Sequence, residues 1–219
     1  DYVIIGARSI TGTGEEYPSA NIWVSNNKIK SIGVELNYPK DIRLIDATNK
    51  WLTPGIIDIH SHMGVYPSPS LRSSSDGNEA TDPVTPHVWA EHSVWTQDTQ
   101  MPLALKGGIT TFHVLPGSAN LFGGRGVTLK NVWSRTMQGM KFPNAPYTLK
   151  MACGENPKRV YGNSNREPST RMGNVAGYRK AWIQAEKYKE QRGATRDLKL
   201  ETLAGVLDGE ILIQNHCYR

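Results

Sequence analysis

The sequence predicts an α/β protein in two parts, a small β-rich unit over residues 1–50 and a parallel α/β unit over residues 51–219. Three observations lead there. Short β-branched runs separated by tight turns fill residues 1–50. The pattern changes at Trp51, where Thr53-Pro54-Gly55 runs into a continuous apolar segment of buried-strand type. From there on, strand-like and helix-like stretches alternate, as they do when crossover helices join parallel strands.

In order along the chain, residues 1–10 are apolar and β-branched, and the Gly-rich stretch after them turns the chain. Residues 20–33 read as two strands joined at Asn26-Asn27, a pair that tolerates the left-handed backbone of a hairpin turn. Residues 42–48 form another strand. Residues 55–62 form the buried strand that follows the punctuation. Residues 64–86 read as a long loop, with Pro67, Pro69, Pro83 and Pro86, and a loop of that length inside a domain is usually functional or mobile. A helix precedes Gly107-Gly108, and residues 109–115 give a second parallel-type strand. The segment 116–126 reads as a Gly-rich loop, and residues 147–153 as a third strand. Helical spacing over 172–192 places Val175, Tyr178, Trp182 and Ala185 on one face. Leu200, Leu203, Ala204 and Leu207 mark another helix, ended by Gly209, and residues 210–216 a further strand.

Composition narrows the function classes. Charged residues make up 21% and hydrophobic ones 38%, and the net charge is +5. Basic residues alternate with acids, as over 186–197, which describes a solvated helix face rather than a nucleic-acid surface. No apolar run reaches the ~20 residues of a membrane span. Two cysteines are too few for a disulfide scaffold or a four-cysteine zinc site. Cys153 reads as a small buried hydrophobe. The first residue is Asp1 and no signal region precedes it, so the compartment, cytoplasmic or exported, is left open.

The chemistry concentrates at Asp58-x-His60-x-His62. On a strand these three side chains face one way, with Ile57, Ile59 and Ser61 opposite. Two imidazoles two residues apart on one face can reach a single cation at ~2.0–2.1 Å. Burying them on an apolar strand needs a partner for each ring, and a metal supplies it. His113 on the second strand can line the same pocket, whereas a satisfied core position is the simpler reading of that residue, as it is of His87 and His92. The loop 116–126, with Asn120 and Arg125, can pack over the strand ends and contact a substrate. It lacks the Lys-Ser/Thr ending of a nucleotide phosphate loop.

Around this motif stand Asp46, Lys50-Trp51-Leu52-Thr53-Pro54-Gly55, Gly107-Gly108-Ile109-Thr110-Thr111 and Gly154-Glu155-Asn156-Pro157-Lys158-Arg159-Val160-Tyr161-Gly162. Together they resemble the metal-dependent amidohydrolase superfamily, in its imidazolonepropionase-like branch, over essentially the whole chain. Asn49 stands where that pattern has Gly, and Asn is the next residue to accept a positive φ. The resemblance implies part of a small β-sandwich followed by part of a (β/α)8 TIM barrel. Such a barrel takes ~250 residues, so residues 52–219 hold about its first five strands.

The resemblance also implies a site. His60 and His62 would be metal ligands, joined by Glu155 just past the third barrel strand and by His216 on the fifth. Lys150 competes with Glu155, because some relatives bridge two metals with a carbamylated Lys, but it lies early in its strand. Cys217, next to His216, points away by strand alternation. The metal is expected to be zinc, with iron or manganese as alternatives. A further His and the catalytic Asp would lie beyond Arg219, on a remaining C-terminal half that is either continuous or a separate chain. The implied reaction is hydrolysis of an amide or cyclic-amide C–N bond in a small molecule by metal-activated water, and a homo-oligomer is the expected assembly. A metallo-dipeptidase of the same superfamily and a non-catalytic binding or scaffold subunit derived from the barrel are the competing readings.

Overall fold

The computed structural model describes residues 1–191 and 195–218. The chain divides into two compact units, Asp1–Gly55 and Ile56–Arg219. The first is a single five-stranded sheet of β1 (Tyr2–Ile10), β2 (Glu16–Ser25), β3 (Lys28–Gly33), β4 (Arg43–Asp46) and β5 (Trp51–Leu52). β1 pairs antiparallel with β2 and parallel with β4 and β5. Asn26 and Asn27, at φ 50° and 59°, make the β2–β3 turn, and Asn49 takes φ 61°. Val3, Ala7, Ala20 and Ile22 form the buried face. The pairing of Trp51 and Leu52 with β1 draws these residues into the first unit, so the division falls after Gly55 and not before Trp51.

The second unit holds β6 (Ile56–Ser61), α1 (Gln100–Lys106), β7 (Ile109–Val114), β8 (Phe122–Lys130), α2 (Met137–Met140), β9 (Thr148–Gly154), α3 (Glu155–Gly162), α4 (Arg171–Glu190), α5 (Leu198–Leu207) and β10 (Leu212–Tyr218). Its sheet runs β10-β9-β8-β7-β6. β6 is parallel to β7 and β9 to β10, while β8 is antiparallel to both its neighbours. Four strands therefore share one direction and β8 opposes them. The sheet curls into a half-barrel: Gln214 Nε2 on β10 donates to the Ile59 carbonyl on β6 at 2.7 Å, so the two edge strands meet through a side chain instead of a ladder.

Most of the expected Gly-rich loop is not a loop: Phe122–Lys130 is a core strand. Glycine in a strand often marks a close backbone approach. Gly124 takes φ 114°, and a Cβ there would run into the Val88 carbonyl. Gly126 lets β8 close on His113 and Leu115. One further difference concerns a helix. Val175 on α4 is 55% exposed and faces away from the core, and the motif that begins at Gly154 continues as α3. The expected extension of α4 to residue 192 lies outside the described residues.

On β9, alternate residues divide the two faces. Leu149 and Met151 pack with Phe122, Ala181, Ala185 and Leu203 under α4 and α5. Phe122 meets Tyr178 and Trp182 edge-on, at ring distances of 5.5 and 5.2 Å. Thr170 and Asp197 cap the two helices, each accepting backbone N–H groups of its first turn. Lys150 points the other way, into the curl.

The 64–98 segment is pinned rather than loose. Buried Asp98 accepts the N–H of Gly64 at 2.8 Å and of Ser68 at 3.1 Å. Asn120 donates to the carbonyls of Glu79 and Asp82 and accepts from Asn78. At the edges of the sheet, Ile57 and Ile59 on β6 are 62% and 69% exposed, and Ile213 on β10 is 50% exposed.

Candidate functional site

Three strands deliver side chains to the inner side of the curl. β6 brings His60, with His62 just past its end. β9 brings Lys150, and β10 brings His216. The His60 ring lies 5.2 Å from that of His62 and 4.9 Å from that of His216, edge-on to both. Lys150 is completely buried, with Nζ 3.4 Å from His60 Nε2. That ammonium donates to the Pro116 carbonyl and to Ser118 Oγ, both at 3.2 Å. Among the described residues its contacts are thus an imidazole, a carbonyl and a hydroxyl, with no carboxylate.

Every imidazole of the cluster is held neutral. Burial, followed by the Lys150 charge and the neighbouring histidines, pushes the His60 pKa down to about 4. His62 is also lowered, mainly by burial, although its bond to Leu115 works the other way. His216 is lowered by burial and by Lys150. Burial lowers Lys150 itself to about 8. His62 Nδ1 lies 2.8 Å from the Leu115 carbonyl, which can only accept, so Nδ1 carries the proton and Nε2 keeps a free lone pair.

Glu155 lies elsewhere. It opens α3, and its half-exposed carboxylate pairs with Arg159 at 2.6 Å. The third-strand residue beside the histidines is Lys150. The three residues read as substrate contacts are also committed to other roles. His113 Nδ1 and Nε2 lie 2.9 and 2.7 Å from the hydroxyls of Thr128 and Thr148, so neither nitrogen is free. Asn120 is fully buried and holds the 64–98 segment in place. Arg125 turns to the helix side, where it donates to Thr202 at 3.1 Å and lies over the Trp89 ring.

Two features went unread in the sequence. Ser118 touches both Lys150 and His216. Cys153 and Cys217, in register on β9 and β10 with Cα atoms 4.5 Å apart, form a disulfide on the helix side of the sheet, so Cys153 is not a free buried thiol. Their only sequence signal is that each lies near the end of its strand.

His113 carries a stability prediction. Burial pushes its pKa from 6.5 down to about 4. Between those values the unfolded chain binds more protons than the folded one. The stability His113 contributes is therefore intact above about pH 6.5 and is lost as pH falls toward 4. His60 acts in the same sense. Thermal midpoints followed over that range should show a shallower acid slope in His113→Gln than in the parent protein, and an identical slope would remove His113 as a source.

Beside the cluster lies a cavity of about 530 Å³, lined by Asp76, Asn78, His87, Trp89, Pro116 and Gly123 among others. Pro116 belongs to both, since its carbonyl also holds Lys150. Buried His87 Nδ1 has no hydrogen-bond partner among the described residues.

The donor set suits a divalent metal in kind: three neutral imidazoles, one with its Nε2 lone pair directed away from the Leu115 carbonyl that holds its Nδ1. Among the described residues, no group of three or more His, Cys, Asp or Glu is drawn close enough to hold an ion.

The second unit is thus an α/β half-barrel with a histidine cluster on its inner side. No family model matches the chain. It is 33% identical over 206 residues to the amidohydrolase tasK of Hapsidospora irregularis, a match covering 82% of this chain and 21% of that protein. It is 33% identical over 109 residues to the 5-methylthioadenosine/S-adenosylhomocysteine deaminase of Thermoanaerobacter pseudethanolicus, covering 45% of this chain and 24% of that one. An amidohydrolase crystal structure from Thermotoga maritima superposes with TM-score 0.91 at 36% identity, over 100% of this chain and 58% of that one. The chain belongs to the metal-dependent amidohydrolase superfamily, and it spans little more than half of that structure and about a fifth of tasK.

Proposed function

We propose that the protein is a hydrolase of C–N bonds in amides, cyclic amides or related groups, with His60, His62 and His216 holding a divalent metal, zinc first. The observation that carries this reading is the meeting of three neutral imidazoles from β6 and β10 around buried Lys150. Relatives that include an amidohydrolase and a deaminase support the reaction class. When bound, the metal would lower the pKa of a water and polarise the group under attack.

The chain's own residues do the rest. His62 offers Nε2 because Leu115 occupies its Nδ1 proton. Lys150 takes the third-strand position, either as a cation beside the substrate or, after reaction of its neutral amine with CO2 and loss of a proton, as a carbamate with carboxylate oxygens. The cavity that shares Pro116 with the cluster would take the non-reacting part of the substrate, with His87 Nδ1 available to a polar group. Further strands in the full-length protein would pair with the edges at β6 and β10. Exposed Ile57, Ile59 and Ile213 support this, as does the greater length of the relatives.

Metal content of the purified full-length protein tests the reading. About one ion or more per chain is expected, retained in Glu155→Gln and reduced at least about 10-fold in Lys150→Met. A metal-free parent protein would overturn the function. Loss in Glu155→Gln with retention in Lys150→Met would restore Glu155 as the ligand.

A further inference from the structure

The turn between β7 and β8 touches three members of the cluster, each from a different strand. The Leu115 carbonyl holds His62 at 2.8 Å. The Pro116 carbonyl holds Lys150 at 3.2 Å. Ser118 Oγ lies 3.2 Å from Lys150 Nζ and 3.1 Å from His216 Nδ1. The turn is itself fixed from outside: Gly117 N–H donates to the Gly77 carbonyl at 2.8 Å, and Asn78 Nδ2 donates to the Gly117 carbonyl at 2.9 Å. A Cβ at Gly117 would collide with Asn78 Oδ1, so the contact depends on glycine. The four residues 115–118 thus form a braced bracket across strands that do not all adjoin one another.

We propose that residues 115–118 are the element that orients the metal-binding histidines, and that Ser118 is a positioning residue setting which nitrogen of His216 faces the cluster. This rests on the metal reading given above. A lysine ammonium has only donors, so Ser118 Oγ accepts from Lys150. The hydroxyl keeps a second lone pair. In the proposed arrangement His216 Nδ1–H donates into it, which leaves Nε2 unprotonated and free to ligate; the reverse bond, from the hydroxyl to Nδ1, would put the proton on Nε2 and overturn the proposal. Leu115 does the same for His62 through a carbonyl. Outer partners of this kind fix the tautomer and ring orientation of a ligating histidine. Ser118 is the one member of the bracket that acts through a side chain, so it can be changed without altering the backbone contacts.

Ser118→Thr and Ser118→Val have nearly equal bulk, and only the first keeps a hydroxyl. The test uses the full-length protein, with Co²⁺ as the probe and two readouts. One is Co²⁺ affinity by chelator competition. The other is the tautomer state of the ¹⁵N-labelled histidines in the metal-free protein, from long-range ¹H–¹⁵N correlations. In Ser118→Val, Co²⁺ affinity should fall about 10- to 100-fold, and His216 should become a mixture of tautomers while His62 keeps its Nδ1–H form. Ser118→Thr should match the parent in both. The proposal is overturned if Val and Thr behave alike, or if affinity falls with the His216 tautomer unchanged, which would mark a packing effect. A parent protein that takes up no Co²⁺ would defeat the metal reading alone, and the His216 tautomer in Val against Thr would still decide the role of Ser118.

Discussion

Replacing His60 and His62 together by alanine is expected to lower metal affinity by well over about 100-fold, to the background of a chelator-dialysed control. Loss of a partner that merely orients a ligand already weakens binding 10- to 100-fold, and here two donors go at once. The two side chains are partly exposed, and their rings touch each other, His216 and Tyr66 instead of the packed core. The cooperative melting transition should therefore survive. Metal analysis by atomic emission beside thermal circular dichroism makes the comparison, and metal retained at the parent level would refute a site on β6.

Phe122→Ala is expected to destabilise the protein by about 3–5 kcal/mol. Phe122 is fully buried on β8, with its ring edge-on to Tyr178 and Trp182 of α4. Truncation removes one of the contacts that tie the sheet to its longest helix, and leaves a hole that a sheet braced on both sides fills poorly. Denaturant unfolding of the full-length protein measures the change. A loss below about 1 kcal/mol, the range of surface substitutions, would contradict a core strand at 122–130.

The parts of the fold that could be read from the sequence are those with a clean period. β6, β7, β9 and β10 are apolar β-branched runs, and α4 and α5 keep 3–4 spacing. β8 was hidden because Gly123, Gly124 and Gly126 look like a turn until the backbones that approach them are known. The pairing of the cysteines depends on β10 lying in register beside β9, and 64 residues separate the two in sequence. At the site, strand alternation puts His60 and His62 on one face, and the motifs around them carry the metal reading. Position along β9 favours Glu155 over Lys150 in the sequence, but the four-carbon stem of Lys150 lets a residue early in the strand place its charge well away from its own Cα. Glu155 begins a helix, and its nearest opposite charge is one turn away at Arg159. Ser118 carried no sequence signal, since a serine after Pro-Gly looks like any turn residue.

The reversed strand β8 also bears on how the chain assembles. Pairing β6 with β7 requires closing the whole 62–108 excursion, and pairing β9 with β10 requires α3, α4 and α5 to be threaded first. Both contacts carry a large loop-closure entropy before they return anything. β7, β8 and β9 instead form a meander within residues 109–154, joined through 115–121 and 131–147, both shorter than those two excursions. Contacts of low sequence separation form fastest. The meander is thus the natural first-formed template of the unit, onto which the two histidine-bearing strands are added from opposite sides, so that the site is completed only when the slowest pairings are made.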